Sequence, residues 1–137
     1  MAYPCKGILI DPFACTVTEV DLIGDYTCIY PLLSHESMPV TTFEATYPEN
    51  LKDRDAVFVD EEGLLKSCDR FFLIAGHSYS QPLAGKGLVI GADAASNAIS
   101  PATPLANIRK RVLFFEHVPG AGLHATDTPW TPPKPRS

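Results

Sequence analysis

Two glycine-containing segments of this sequence place reactive side chains where catalysis could occur. The first, Gly76-His77-Ser78-Tyr79-Ser80, comes within one residue of Gly-x-Ser-x-Gly, the turn that exposes a nucleophilic serine above a sheet. Ser80 replaces the second glycine, and Pro82 stands where the helix after such a turn should be established. The pattern therefore favours an ordinary loop at residues 77–84 over a serine nucleophile.

The second segment, Gly85-Lys86-Gly87, has the glycines and the lysine of a phosphate-binding loop. It lacks the Ser or Thr after the lysine and the earlier glycine that the P-loop spacing requires. A glycine-flanked turn that enters a strand is the simpler interpretation. One alternative stays open, in which Lys86, His77 and Ser78 line the pocket of a small enzyme or a small-ligand-binding protein.

The densest acidic stretch of the chain contains Asp55, Asp60, Glu61 and Glu62. Such a cluster could bind a basic partner, or its carboxylates could serve as general acid and base. A solvated turn between two strands is the more common explanation. If the cluster has a function, contact with a protein is the one we expect of these four residues.

The C-terminal segment contains Pro129-Trp130-Thr131-Pro132-Pro133-Lys134, which matches Pro-x-x-Pro-x-Lys. Peptides of this kind adopt an extended polyproline II conformation and dock on aromatic grooves. Trp130 is the one tryptophan of the chain, and exposed tryptophans often anchor interfaces. The competing interpretation is a frayed terminus that makes no specific contact.

The histidines and cysteines show no spacing that is typical of a metal site. The chain has four of each, without a Cys-x-x-Cys pair or paired histidine ligands. We expect no metal and no cofactor, and we expect the cysteines to be reduced and mostly structural.

Charge and hydropathy exclude several classes of partner. The 137 residues include 11 Lys+Arg and 16 Asp+Glu, for a formal net charge of −5. This deficit of basic residues argues against binding to a phosphate backbone. The longest apolar runs, such as residues 71–75, are far too short to span a bilayer, and the first residues lack the long apolar region of a signal peptide. We expect a cytoplasmic protein without nucleic-acid or membrane partners.

Hydrophobic periodicity predicts about six strands and two helices. Residues 7–10 and 16–22 form a predicted hairpin, because the second run alternates with period two. A near-continuous apolar run at residues 70–76 is expected of a central strand buried on both faces. A short helix over residues 26–33 is limited by Pro31. The remaining predicted elements are strands at 40–47, 56–60 and 88–91, a helix capped by Thr103 with Pro104 at its first position, and a run at 112–118 whose second half favours a strand.

These elements indicate one α+β domain over residues 1–118. We expect a mainly antiparallel or mixed sheet of about six strands with two helices packed on it. The core should end near Val118, and residues 119–137 are expected to form a mobile Pro-rich tail.

Several of these segments together resemble a known family. They are residues 8–13, 16–20, 55–64, 71–74 and 81–91, of which Pro82-Leu83-Ala84-Gly85-Lys86-Gly87 is the most specific. The likeness runs from Gly7 to about Phe115 and is to small proteins of phages, prophages and conjugative elements that share a domain of unknown function. The resemblance implies a genomic setting, and it carries over no catalytic residue.

This setting favours a non-catalytic protein-interaction protein of a phage or mobile element, acting on a host protein or protein complex. Inhibition of a bacterial host's defence, in the manner of anti-CRISPR proteins, is the activity that the setting suggests. The contact residues are expected at residues 55–62, in the loop 77–86 or around Trp130. The alternatives are the ligand pocket near Lys86 and a homodimer joined through an uncovered sheet edge.

Overall fold

Two antiparallel sheets and two short α-helices make up the described part of the chain. The computed structural model describes residues 5–23, 26–46, 55–66, 68–75, 82–93 and 98–126. The helices are α1 (Ile29–Leu33) and α2 (Leu105–Arg111), and 3₁₀ turns cover Tyr26–Cys28 and Gly63–Leu65. The strands are β1 (Cys5–Asp11), β2 (Thr16–Leu22), β3 (Phe43–Thr46), β4 (Ala56–Asp60), β5 (Arg70–Ile74), β6 (Leu83–Ala84), β7 (Gly87–Ala92), β8 (Ala98–Ile99), β9 (Val112–Val118) and β10 (Gly122–Ala125).

The larger sheet has the strand order β2-β1-β7-β4-β3, with the short β8 paired to β7. The predicted hairpin of β1 and β2 is confirmed, with Cys5 opposite Leu22 and Asp11 opposite Thr16. The Asp11 carboxylate accepts the N–H groups of Phe13 and Ala14, at 2.9 and 3.1 Å, and so fixes the turn between the two strands.

The strand buried on both faces is β7, and not the predicted run at residues 70–76. β7 lies between β1 and β4, and its residues from Gly87 to Gly91 are all buried. In β5, burial alternates: Phe72 and Ile74 are buried, whereas Phe71 and Leu73 are partly exposed. An unbroken apolar run does not distinguish these two cases, because the second face of a strand can be apolar and still exposed.

A second, four-stranded sheet has the order β10-β9-β5-β6. Phe72 pairs with Phe114 and Ile74 with Val112, and these four side chains are buried. The predicted α+β class and the two helices are confirmed. The expectation of one sheet of about six strands is wrong: in the described part of the chain ten strands form two sheets, and the predicted strands at 70–76 and 112–118 lie in the smaller one. It exists because β5 pairs with β9, which lies far along the chain, and local sequence patterns contain no information on such pairings.

Two apolar cores lie on opposite faces of the larger sheet. The first fills the space between the sheets, where β1, β2, β4 and β7 face β5, β9 and α2; its buried members include Ile10, Val57, Val89, Phe72, Ile108 and Phe114. The second lies under α1 and contains Leu22, Ile29, Leu33, Val40, Leu88 and Ile90. Alternate residues of β7 therefore contribute to both cores, which places this strand at the centre of the fold.

Helix α2 begins one residue later than predicted. Its N-cap is Pro104, whose carbonyl accepts the N–H groups of Asn107 and Ile108, and no side chain caps the helix. Thr103 precedes the cap, and its N–H group is bound by the Asp55 carboxylate at 2.7 Å. The Arg109 side chain donates from Nε to the Val17 carbonyl at 2.9 Å and ties α2 to β2.

The described chain continues beyond Val118 into a second hairpin. β10 pairs with β9 from Gly122 opposite Val118 to Ala125 opposite Phe115, and all four β10 residues are exposed. The predicted tail from residue 127 onward lies outside the described residues. None of the helices in the described ranges is long and apolar enough to cross a membrane.

Candidate functional site

The turn after β4, residues 61–66, is held by a buried aspartate and is here called the acidic turn. The Asp60 side chain, 2% exposed, accepts the Glu62 N–H at 2.9 Å and a Lys66 Nζ–H at 2.6 Å. Lys66 Nζ also donates to the Pro39 carbonyl at 2.7 Å. These three bonds tie the turn to the end of β4 and to the segment before β3, so its backbone is preorganised.

The acidic turn presents two carboxylates and one apolar side chain to solvent. Glu61 and Glu62 are exposed, and Leu65 is 87% exposed. Gly63, between them, faces the Ala84 side chain, so the turn packs on β6 at this point. A leucine with almost no contact of its own contributes nothing to the core, and it is available to a partner.

Asp55, the first of the predicted acidic residues, has a structural position. It is buried, and its two carboxylate oxygens accept the N–H groups of Ala102 and Thr103 at 2.9 and 2.7 Å. These bonds hold the segment that leads into α2 against the start of β4. Of the four acidic candidates, Asp55 and Asp60 are thus enclosed within the fold, and Glu61 and Glu62 are exposed.

Lys86 is paired with Asp11 rather than held free for an anion. The two side chains are largely buried, with Nζ 3.7 Å from Asp11 Oδ2. Gly85 has φ +79°, in the left-handed region, and a Cβ on Gly87 would lie 2.8 Å from the Phe72 ring carbon Cε1. Backbone conformation and packing thus explain both glycines of Gly85-Lys86-Gly87 without a phosphate.

An aromatic pair beside Asp11 was not singled out from the sequence. The rings of Phe13 and His35 stack with centroids 3.9 Å apart and an interplanar angle of 5°. His35 Nδ1 lies 2.6 Å from Ser37 Oγ. No local motif predicts this contact, because it joins the first hairpin to the turn after α1.

The thiols have the properties of structural cysteines. All four are free and partly buried. Burial raises the pKa of the Cys68 thiol, whose Sγ–H donates to the Arg70 carbonyl at 3.0 Å. Burial, together with the neighbouring Cys28, also raises the pKa of Cys5. A raised pKa keeps a thiol protonated and weakly nucleophilic. Among the described residues, no three His, Cys, Asp or Glu side chains are grouped as metal ligands.

Three predicted candidates cannot be placed. His77, Ser78 and Trp130 lie outside the described residues.

The smaller sheet has an exposed apolar side that sequence reasoning also missed, and we call it the outer face. Residues paired across antiparallel strands point to the same side, so the pairs Leu73–Leu113 and Phe71–Phe115 share a face opposite to the core. β10 extends this face by the pairs Leu123–His117 and Ala125–Phe115. The exposed part of this side, the outer face, consists of Phe71, Leu73, Leu113, Phe115, His117, Leu123 and Ala125. On β6 the same side continues at Ala84, which is buried against Gly63 of the acidic turn.

The comparisons with known proteins identify no relative of this chain. No family model matches the sequence, and no curated protein or solved structure matches it.

Proposed function

We propose that the chain is a non-catalytic protein-interaction protein of a phage or mobile element, which binds a host protein through the acidic turn. Inhibition of a host defence complex is the activity proposed for that binding. One observation supports the proposal above the others: Leu65 is 87% exposed on a turn that the ion pair of the buried Asp60 with the partly buried Lys66 holds in place.

Preorganisation is the first physical support. Binding through a loop that is ordered in advance avoids the entropy cost of fixing that loop in the complex. The acidic turn is held at both ends, by the Asp60 carboxylate and by the two bonds of Lys66. Its exposed side chains are therefore presented in one arrangement.

The chemistry of the turn specifies the partner surface. One large aliphatic side chain beside two carboxylates fits an apolar pocket bordered by Lys or Arg side chains. The carboxylates would accelerate association through long-range attraction, and the leucine would contribute most to the lifetime of the complex. The net charge of −5 acts in the same direction toward a basic surface.

The use of other polar side chains within the fold also supports binding rather than catalysis. The Asp11, Asp55 and Asp60 carboxylates accept backbone N–H groups, and two of them also face lysines. The raised pKa of Cys68 and of Cys5 disfavours their thiolates at neutral pH.

The test uses the full chain to capture a host protein and then measures binding of that purified protein by calorimetry. Leu65→Ala is expected to weaken binding about tenfold to thirtyfold, as for a hot-spot side chain. Glu61→Lys with Glu62→Lys is expected to slow association most strongly at low salt. Asp60 is left unchanged, because a lysine there would place a second cation beside Lys66 in a buried position.

Ile23→Ala is the matched control, because Ile23 is 75% exposed but lies after β2, outside the acidic turn. The proposal is wrong if Leu65→Ala and the double charge reversal bind the captured protein as tightly as the unchanged chain. It is equally wrong if Ile23→Ala weakens binding as much as Leu65→Ala does.

A further inference from the structure

The outer face of the smaller sheet is an apolar surface, bordered at its His117 end by the exposed Asp69, whose carbonyl accepts the His117 N–H. None of its seven residues is Asp, Glu, Lys or Arg, although the chain as a whole has 20% charged residues. Leu113 and Leu123 are 39% and 40% exposed, and Phe71, Leu73 and Phe115 are partly exposed.

The size of the outer face favours one short segment over a second protein. Three neighbouring strands with about five residues each cover roughly 250 Å² at the usual strand spacings. A stable protein interface buries about 800 Å² on each partner, so this face alone is too small for a dimer. One tryptophan side chain buries about 150–250 Å², which matches the area of the face.

The chain leaves the described structure beside this surface. Thr126 follows β10, and its N–H still donates to the Phe114 carbonyl at 2.9 Å. Because β10 runs antiparallel to β9, the chain after Thr126 continues toward Leu113, the more central of the exposed leucines on the outer face. Trp130 follows Thr126 by four positions, a distance of at most about 13 Å in an extended chain. Trp130 is thus within reach of Leu113 and Leu73.

From this placement we propose that the segment after Thr126 docks on the outer face of its own molecule, with Trp130 over Leu113. Attachment to the neighbouring strand makes the effective concentration of the segment high, so weak apolar contact suffices to bind it. Pro129, Pro132 and Pro133 restrict the unbound segment and reduce the entropy lost on docking. The inference does not rest on the proposed function, because it concerns the chain without a partner.

The test exploits the single tryptophan of the sequence, because its fluorescence reports on Trp130 alone. With selective tryptophan excitation, the full chain is compared with a synthetic peptide of residues 127–137. The expected emission of the full chain is shifted to shorter wavelength, and acrylamide quenches it less than it quenches the peptide. In the full chain, Leu113→Glu and, separately, Leu123→Glu are expected to shift the Trp130 emission and its quenching to the values of the free peptide.

Ile99→Glu is the matched control for the added charge. Ile99 is 41% exposed, a fraction similar to that of Leu113, but it lies on β8 of the other sheet. Its substitution should leave the emission unchanged. Circular dichroism establishes that each variant is folded, and if Leu113→Glu unfolds the chain, Leu123→Glu on the exposed β10 decides the question.

Three results would overturn the proposal. One is a full-chain emission that equals that of the peptide. Another is a shift that persists in both folded leucine variants, which would place Trp130 on a different surface. The last is a shift that disappears on dilution, which would make a second copy the occupant. Failure to capture a host protein leaves this measurement unaffected, so the two proposals fail independently.

Discussion

At the scale of single residues, two aspartates that the sequence suggests as part of a charged binding surface instead accept hydrogen bonds within the fold. Asp55 binds two backbone N–H groups nearly fifty residues away, and Asp60 binds a backbone N–H and a lysine within its own turn. A buried carboxylate is stable only with such partners, because burial without them carries a large desolvation cost. Glu61 and Glu62, in contrast, are exposed.

Asp55 gives the residue-scale prediction. Asp55→Ala leaves the Ala102 and Thr103 N–H groups without these acceptors and is expected to lower the free energy of unfolding by about 3 kcal/mol. Asp55→Asn should cost roughly half of that, because its amide keeps one oxygen acceptor. Urea denaturation followed by circular dichroism measures both changes.

Glu61→Gln is the control for this pair, since it removes a carboxylate from an exposed position. Its free energy of unfolding should stay within about 0.5 kcal/mol of the unchanged chain. If Asp55→Ala and Glu61→Gln unfolded at the same urea concentration, the hydrogen bonds from Ala102 and Thr103 to Asp55 would not stabilise the fold.

At the scale of elements, β7 is the strand that tolerates least change. It is hydrogen-bonded on both edges and buried from Gly87 to Gly91. Its first residue lies directly against the Phe72 ring of the other sheet, so the two sheets are in contact at a position where β7 has no side chain.

The close approach at Gly87 predicts a specific coupling. Gly87→Ala should lower the free energy of unfolding by about 1–3 kcal/mol, because the new methyl group overlaps the Phe72 ring. In a Phe72→Leu background the same substitution should cost less, since the smaller side chain leaves room for it. A double-mutant cycle by urea denaturation measures the difference.

Additive effects of the two substitutions would contradict this explanation. They would mean that Gly87 is required for backbone reasons alone and that the Phe72 ring does not set the cost.

At the scale of the whole molecule, the larger sheet joins two cores that we expect to unfold together. Val89 faces the core between the sheets, and Leu88 and Ile90 face the core under α1. β7 cannot leave the sheet without disrupting the packing of both cores. A single unfolding transition is therefore expected, as for most domains of this size.

Two cysteines allow this cooperativity to be measured. Cys15 packs against the core between the sheets, and Cys28 packs against the core under α1. Pulsed thiol labelling across a urea series, read by mass spectrometry, should give the same midpoint for both thiols. Leu33→Ala, which removes buried side-chain volume under α1, should shift both midpoints together at a cost of about 3 kcal/mol.

Separate midpoints for Cys15 and Cys28 would contradict the single transition. A shift of the Cys28 midpoint alone in Leu33→Ala would contradict it as well, since the helix would then unfold independently of the sheets.

Local patterns predicted much of the fold and little of the candidate sites. Period-two alternation and the turn at Asp11 were enough to predict the β1–β2 hairpin. The pairing of Phe71 with Phe115 was out of reach, because strands far apart in sequence pair according to packing that no local window contains.

The same limit applies to the candidate residues. Asp55, Asp60, Glu61 and Glu62 are chemically alike in the sequence, and only the folded backbone shows which of them are enclosed. The outer face was missed because β5 and β9 are apolar on both sides, so their sequences do not show which side is exposed.

The position of β7 also determines the order in which the protein can be completed during translation. The central strand is synthesised after both of its neighbours, β1 and β4. The β1–β2 and β3–β4 pairs therefore emerge from the ribosome with unpaired backbone groups on their inner edges. Those edges stay open to other nascent chains and to chaperones until residues 87–92 have been added and take their place between them.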